Sequence, residues 1–154
     1  MPVSAGDPAP DFTLLDQDRQ PFGLSALRGA PVLLVFYPFA FSALCGSELG
    51  RLRDSLSDYS GVHVLALSTD PVYSLKAFRD REGYDFPLLS DFWPHGAVAS
   101  AYGVLDERHG MALRATFLVD AEGVVRFAQV NAPGDVREQS EWRDAVARLQ
   151  ARVE

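Results

Sequence analysis

The sequence predicts an α/β domain in which a central mixed sheet is flanked by helices. Two patterns carry this prediction. An apolar run at Val32–Phe36, a helical pattern after it and a second apolar run at 62–68 form a strand–helix–strand unit, whose strands are normally parallel with a right-handed crossover. Nearer the carboxyl end, segments 116–119 and 124–130 flank a turn that contains glycine, which indicates an antiparallel hairpin. One sheet is therefore expected to hold both kinds of strand pairing.

In the first half of the chain, segments 12–14 and 22–24 are predicted to be short strands. Val32–Phe36 is apolar at every position, which is typical of a strand covered on both faces. The helix that follows has apolar residues at steps of four and three along one face. These positions are Cys45, Leu49, Leu52, Leu56 and Tyr59. We therefore expect one helix that runs through all five and holds the cysteine in its first turn.

In the second half, Asp70 and Pro71 are predicted to be the N-cap and first residue of a helix that Gly83 terminates. A short strand is expected at 86–89 and a short helix at 96–102. The last element is an amphipathic helix, whose apolar residues repeat at helical spacing. They include Trp142, Ala145, Val146 and Leu149. Together these elements describe a thioredoxin-like fold with additional amino-terminal strands.

Composition excludes several classes of function. The chain has 154 residues and is 47% hydrophobic, enough for a single domain over residues 1–154. Fourteen basic and 21 acidic residues give a net charge of −7, which argues against nucleic acid or an anionic membrane as a partner. The longest apolar stretch, 30–41, is too short to span a bilayer. Residues 1–7 lack the features of a signal peptide, so we expect a cytoplasmic protein.

Cys45 is the only cysteine in the chain, so no internal disulfide can form. In the first turn of a helix, unpaired backbone N–H groups and the helix dipole favour an anion, and therefore a reactive thiolate. The alternative is a packed, inert cysteine, since free cysteine is among the most buried residue types. Position alone does not decide between the two.

Glu48 lies one helical turn after Cys45, on the same side, and its charge would oppose a thiolate. A guanidinium that bridges the Glu48 carboxylate and the sulfur would satisfy both charges. Spacing does not select one arginine among the several present. Glu48 is alternatively a solvated helix residue.

The same segment resembles the motifs of two other classes of enzyme. Cys45 and Arg51 have the C-x5-R spacing of cysteine-dependent phosphatases, but the helical pattern leaves no loop to cradle a phosphate, and Glu48 would repel it. Ser42 and Cys45 resemble a thioredoxin C-x-x-C whose attacking cysteine is serine, which disfavours disulfide exchange. A non-catalytic thioredoxin-fold module remains the competing class.

The histidines stand singly, without the spacing of metal ligands, and no nucleotide-binding motif is present. We therefore predict neither a metal nor a cofactor. An aromatic segment at 92–94 is interpreted as a packed loop, or else as part of an apolar mouth or subunit contact together with Phe39 and Phe41.

Pro38, Ser42 and Cys45 match the P-x-x-x-[ST]-x-x-C signature of the peroxiredoxins, and Glu48 falls where that family carries an acidic residue. The similarity also covers segments at 9–14, 86–98 and 133–137, and so extends over nearly the whole chain. The chain resembles the one-cysteine peroxiredoxins, in particular those of mycobacteria and related actinobacteria. Gly46 replaces the proline that commonly follows the cysteine, and serine is the less common hydroxyl residue at Ser42.

The resemblance implies a thiol-dependent peroxidase that reduces hydrogen peroxide, organic hydroperoxides and peroxynitrite. It implies that Cys45 attacks the peroxide and becomes a sulfenic acid, with Arg114 and the Cys45 backbone N–H stabilising the developing charge. Supporting roles are implied for the other residues at the site. Ser42 would hold the peroxide, Pro38 would shield the sulfur, Glu48 would orient Arg114, and Phe39, Phe41 and Arg137 would contact substrate.

With no second cysteine, an external reductant is implied. The candidates are a small thiol such as mycothiol, with mycoredoxin, or thioredoxin. The family also implies a homodimer.

Overall fold

In the computed structural model, residues 1–153 are described. The strands are β1 (Thr13–Leu15), β2 (Pro21–Gly23), β3 (Val32–Phe36), β4 (His63–Ser68), β5 (Leu88–Ser90), β6 (Leu105–Asp106), β7 (Met111–Ala112), β8 (Arg114–Val119) and β9 (Val125–Asn131). The α-helices are α1 (Ala43–Asp54), α2 (Val72–Glu82), α3 (Ala97–Ala101) and α4 (Gln139–Val153). Two 3-10 helices lie at Ser25–Leu27 and Leu56–Tyr59.

The main sheet is mixed, with the strand order β2-β1-β5-β4-β3-β8-β9. The strands β3, β4 and β5 pair in parallel, while β8 pairs antiparallel with both β3 and β9. This confirms the predicted α/β fold, with its parallel unit, its carboxyl-terminal hairpin and its added amino-terminal strands. Residue bounds differ from those predicted by only one or two positions for most elements.

Strand β3 lies at the centre, and all five of its residues are buried. Because side chains alternate along a strand, it supplies both of the apolar cores that the sheet separates. Leu33 and Val35 pack in the core that also holds Cys45 and Trp142, and Leu34 and Phe36 pack in the core on the other face. The cysteine helix α1 is thus anchored directly against the central strand.

The predicted continuous helix through Tyr59 is wrong. The helix α1 ends at Asp54, and Leu56–Tyr59 is a separate 3-10 helix. Ser55 ends α1 because both its N–H and its hydroxyl donate to the Arg51 carbonyl oxygen, the hydroxyl at 2.8 Å. Serine competes in this way with helical hydrogen bonding.

The predicted start of α2 is also wrong in detail. The N-cap is Pro71, no side chain caps the helix, and Asp70 lies one residue further out. Gly83 does terminate the helix, with a left-handed φ of 68°. A small hairpin of β6 and β7 was not predicted from the sequence, because its strands have only two residues each.

No helix in the described part of the chain combines the length and apolarity that a bilayer crossing requires.

Candidate active site

Cys45 occupies the first turn of α1, immediately after the loop that leaves β3. Ser42 is the N-cap of that helix, and its hydroxyl oxygen accepts the Cys45 N–H at 3.3 Å. Serine caps helices well because its oxygen satisfies an otherwise unpaired N–H. The cysteine side chain is 0% exposed and faces the core between α1 and the sheet.

Residues 38–42, here called the active-site loop, connect β3 to the Cys45 helix. Pro38 is buried at the start of the loop, whereas Phe39 and Phe41 are 42% and 44% exposed. Phe41 has a φ of 68°, a left-handed conformation that is unusual for a bulky residue. Its ring packs against Phe78 at a centroid distance of 5.1 Å, and the Arg81 guanidinium lies over it at 5.0 Å.

Arg114 is the guanidinium that reaches the sulfur. It begins β8, the antiparallel neighbour of β3, and is 2% exposed. One terminal nitrogen lies 3.2 Å from Cys45 Sγ and the other lies 2.6 Å from a Glu48 carboxylate oxygen. Its Nε donates to the Pro133 carbonyl oxygen, which fixes the guanidinium plane. A single arginine therefore bridges the sulfur and the carboxylate.

Glu48 is buried and ionised, not a solvated helix residue. Its carboxylate accepts hydrogen bonds from Arg114 and also from the backbone and side chain of Arg137. Burial opposes ionisation of this group, but the hydrogen bonds and charge of Arg137, together with the charge of Arg114, hold the pKa of Glu48 below its ordinary value. The two arginines thus keep a negative charge beside the cysteine.

Arg137 lies behind Glu48. Its guanidinium donates to both Glu48 oxygens, to the carbonyl oxygens of Phe36 and Ala115, and to the Thr116 hydroxyl. Burial lowers the pKa of Arg137, although Glu48 opposes this, and a guanidinium stays protonated in proteins. These contacts tie Arg137 to β3, β8 and α1, while Arg114 is the arginine within hydrogen-bonding distance of the sulfur.

The site holds an excess of positive charge. Two buried guanidinium groups face one buried carboxylate, and the Arg114 guanidinium also lies beside Cys45 Sγ. Buried charges are tolerated only when they are paired and hydrogen-bonded, so these two arginines favour an anionic group at this position. The arrangement can therefore stabilise negative charge that develops on an approaching molecule.

The structure brings together the predicted residues Ser42, Cys45, Glu48 and Arg114, and Pro38 is buried at the start of the loop that leads to them. It does not form the phosphatase arrangement, because residues 45–51 all lie within α1 and Arg51 is exposed. No group of histidine, cysteine and acidic side chains in residues 1–153 could hold a metal ion.

Two contacts of the site were missed by sequence reasoning. The Gln139 side chain donates to the Glu48 backbone carbonyl oxygen at 2.9 Å, and Asp70 accepts the Ala40 N–H of the active-site loop at 2.8 Å. Asp70 was interpreted as a helix cap, the common use of Asp before Pro. Neither contact leaves a signal in local sequence, because each partner lies at least 30 residues away.

Comparison with known proteins shows which family this chain resembles. A model of the AhpC/TSA family matches residues 5–128. Alkyl hydroperoxide reductase E of Mycobacterium tuberculosis is 49% identical over 152 residues, which cover 97% of this chain and 99% of the relative. Peroxiredoxin Bcp of Escherichia coli is 37% identical over 132 residues, covering 80% of this chain and 83% of the relative.

Solved structures give the same result. Peroxidoxin BcpB of Mycobacterium tuberculosis superposes with a TM-score of 0.83 at 31% identity, covering 97% of each chain. Enterococcus faecalis AhpC superposes with a TM-score of 0.85 at 30% identity, covering 99% of this chain and 93% of that one.

Proposed function

The chain belongs to the AhpC/TSA family and is a thiol-dependent peroxidase of the peroxiredoxin class, and from this premise we propose that Cys45 is the residue that reduces the peroxide. The observation that carries the proposal is the Arg114 guanidinium, 3.2 Å from Cys45 Sγ and paired to buried Glu48. The single cysteine is consistent with a one-cysteine cycle.

In the first step, the Cys45 thiolate attacks one oxygen of the peroxide in line with the O–O bond. The S–O bond forms as the O–O bond breaks, so the sulfur is oxidised to a sulfenic acid and the other oxygen leaves as an alkoxide or hydroxide that takes up a proton. Arg114 faces the position where this negative charge develops. Preorganised donors of this kind supply a large share of many rate enhancements.

Ser42 and Pro38 would prepare the sulfur for the peroxide. The Ser42 oxygen accepts the Cys45 N–H, which leaves the hydroxyl proton free to be donated to a peroxide oxygen. At 3.3 Å that bond is long, so the same N–H could be shared with a substrate oxygen. Pro38, which is buried, would exclude water from the sulfur, and half-exposed Phe39 and Phe41 would offer apolar contacts for the organic part of a hydroperoxide.

Glu48 and Arg137 would act through Arg114. Glu48 accepts a hydrogen bond from one terminal nitrogen of Arg114 and thereby directs the other terminal nitrogen to the sulfur. Arg137 holds Glu48 in that position with bonds to both carboxylate oxygens. We assign Arg137 a positioning role, and contact with substrate stays a prediction for this residue.

The second half of the cycle requires an external thiol, because the sulfenic acid has no other cysteine in the chain to react with. We propose mycothiol with mycoredoxin as the physiological reductant, supported by the 49% identity to a mycobacterial alkyl hydroperoxide reductase. Thioredoxin is the second candidate. Such a cycle needs a reducing compartment, and we therefore place the protein in the cytoplasm.

A homodimer is proposed from the exposed aromatic surface. The segment 92–94 is not the packed loop that was one interpretation of the sequence, because Phe92 and Trp93 are 45% and 79% exposed. With Leu15 and Tyr73 they line an apolar groove of about 360 Å³. Exposed apolar surface of this kind marks interaction sites, and a second copy of the chain is the partner proposed here.

The function is tested by steady-state peroxide consumption with hydrogen peroxide, a long-chain organic hydroperoxide and peroxynitrite, each combined with mycothiol plus mycoredoxin or with thioredoxin. We expect turnover with mycothiol plus mycoredoxin, and no turnover by Cys45→Ser. Turnover by thioredoxin alone would replace the proposed reductant. Undiminished turnover by Cys45→Ser would overturn the proposal itself.

A further inference from the structure

Asp70 does not cap helix α2, although its position before that helix predicts that it would. It lies between β4 and α2, where aspartate commonly caps the first turn of the helix, yet the first turn of α2 has no side-chain cap. Its carboxylate turns the other way. One oxygen, Oδ2, accepts the Ala40 backbone N–H at 2.8 Å and the Ser68 hydroxyl at 2.7 Å.

The carboxylate is held rigidly in this orientation. The Ser68 oxygen also accepts the Asp70 N–H at 3.3 Å, and the Ser90 hydroxyl donates to the Asp70 carbonyl oxygen at 2.7 Å. Ser68 and Ser90 end the parallel strands β4 and β5. Asp70 is therefore fixed to the central sheet, and Ala40 is bonded to a rigid acceptor.

Ala40 belongs to the active-site loop, whose backbone forms few other hydrogen bonds. Among the described residues, Asp70 is the only side chain outside the loop that hydrogen-bonds to the backbone of residues 38–42. The next residue, Phe41, adopts a left-handed φ of 68°, a strained conformation that needs support from its surroundings. The bond to Asp70 supplies support next to this strained residue.

The proposed cycle requires this loop to move. Cys45 is 0% exposed, and Arg114 and Glu48 close one side of the sulfur. A peroxide is small, but a reducing thiol must bring its own sulfur into line with the oxidised sulfur of Cys45. The α1 side is held by the buried ion pairs of Glu48, so the active-site loop, whose backbone has few hydrogen bonds to the rest of the fold, is the part that can open.

We propose that Asp70 is a positioning residue that latches the active-site loop over Cys45. With the Ala40 bond closed, the loop presents Pro38 and Ser42 to the peroxide. With it open, the sulfenic acid meets an external thiol, forming a mixed disulfide and releasing water, and a second thiol restores Cys45 and leaves as a disulfide. This inference deepens the proposed function and rests on it.

The test measures the two half-reactions separately, in stopped-flow, for the wild type, Asp70→Ala and Asp70→Asn. The first experiment measures the rate at which hydrogen peroxide oxidises Cys45. The second measures the rate at which a small thiol reacts with sulfenic acid that has already formed at Cys45. Loss of a hydrogen bond to a charged acceptor shifts an equilibrium by about tenfold or more. For Asp70→Ala we expect oxidation slowed about tenfold and thiol capture accelerated by a similar factor.

The Asp70→Asn variant and hydrogen exchange distinguish a specific effect on the active-site loop from a general loss of stability. Asp70→Asn keeps an acceptor oxygen at the same place, so it should restore most of the wild-type ratio of the two rates. Hydrogen exchange should be faster at the Ala40 amide in Asp70→Ala, with the central strand β3 unchanged. Ser68→Ala, which removes the second bond to the same oxygen, should show a weaker effect in the same direction. Exposed Asp85→Ala is the matched control and should behave as wild type.

The outcomes are distinct. If both half-reactions slow together in Asp70→Ala, or the ratio stays at the wild-type value while Ala40 exchange is unchanged, the latch is refuted although the peroxidase remains. If the wild type forms no sulfenic acid at Cys45, the proposed function fails first.

Discussion

In the proposed mechanism, the chemistry of the site depends on Arg114. Its guanidinium lies 3.2 Å from Cys45 Sγ, and it also carries one of the two positive charges that face Glu48. Arg114→Ala should slow the oxidation of Cys45 about 10²- to 10³-fold, the usual result of removing one preorganised donor. Stopped-flow fluorescence or competition kinetics with hydrogen peroxide measures this rate.

The control is Arg51→Ala, which removes an exposed arginine of the same helix. It should oxidise at the wild-type rate. If Arg51→Ala proved the more damaging change, or if the protein hydrolysed aryl phosphates through Cys45, the phosphatase interpretation would replace the peroxidase.

Glu48 should link stability to pH. Because its pKa is held below the ordinary value in the folded protein, its ionised form stabilises the fold above the unfolded-state pKa of about 4.3, and this contribution is lost as pH falls through the folded value. Glu48→Gln leaves two buried guanidinium groups poorly paired and should cost about 3 kcal/mol or more at neutral pH.

The free energy of unfolding, measured in urea from about pH 7 down to about pH 3, should therefore differ most between wild type and Glu48→Gln at neutral pH. The difference should shrink as the carboxyl group is protonated. Exposed Glu107→Gln serves as the control. A difference that stays constant across the range would show that the Glu48 charge does not stabilise the fold.

At the scale of elements, the turn between α2 and β5 holds a buried hydroxyl without a partner. Tyr84 is 2% exposed, its ring stacks on Phe86 at 5.0 Å, and its hydroxyl forms no hydrogen bond among the described residues. An unsatisfied buried polar group costs stability. Tyr84→Phe keeps the ring and should raise the free energy of unfolding by about 1 kcal/mol or more, as measured in urea.

Exposed Tyr73→Phe is the matched control and should change stability by less than about 0.5 kcal/mol. A loss of stability in Tyr84→Phe would mean that its hydroxyl has a partner, such as an internal water, in solution.

Two of the helix ends are also features that could not be predicted from the sequence. The pattern around Cys45 predicted its helix and its place in the first turn, because capping and periodicity act within a few residues. The end of α1 at Ser55 and the turn of Asp70 away from α2 depend on competing hydrogen bonds, and periodicity carries no information about them. The arginine that pairs with Glu48 could not be chosen from sequence spacing, because β8 lies near α1 only as a result of the order of strands in the sheet. The family resemblance was what identified Arg114 and Arg137.

At the scale of the whole molecule, the proposed dimer should depend on the aromatic groove. Trp93→Glu places a charge in that surface and should raise the dimer dissociation constant about thirtyfold or more, measured by analytical ultracentrifugation. Val130→Glu on the edge strand β9 is the control, and it should leave the dimer intact. Dissociation by Val130→Glu alone would place the interface along the strand edge.

The central claim, that Cys45 is the one site of peroxide reduction, is tested most directly by intact mass after peroxide treatment. With one equivalent of hydrogen peroxide the wild type should gain one oxygen, and excess peroxide should add a second and third, because no other cysteine traps the sulfenic acid. Adding a small thiol before the excess should give a mixed disulfide at Cys45 instead. Cys45→Ser should gain no oxygen with one equivalent of hydrogen peroxide. A main product in which two Cys45 residues are joined by a disulfide, with neither sulfenic acid nor thiol adduct, would contradict the account.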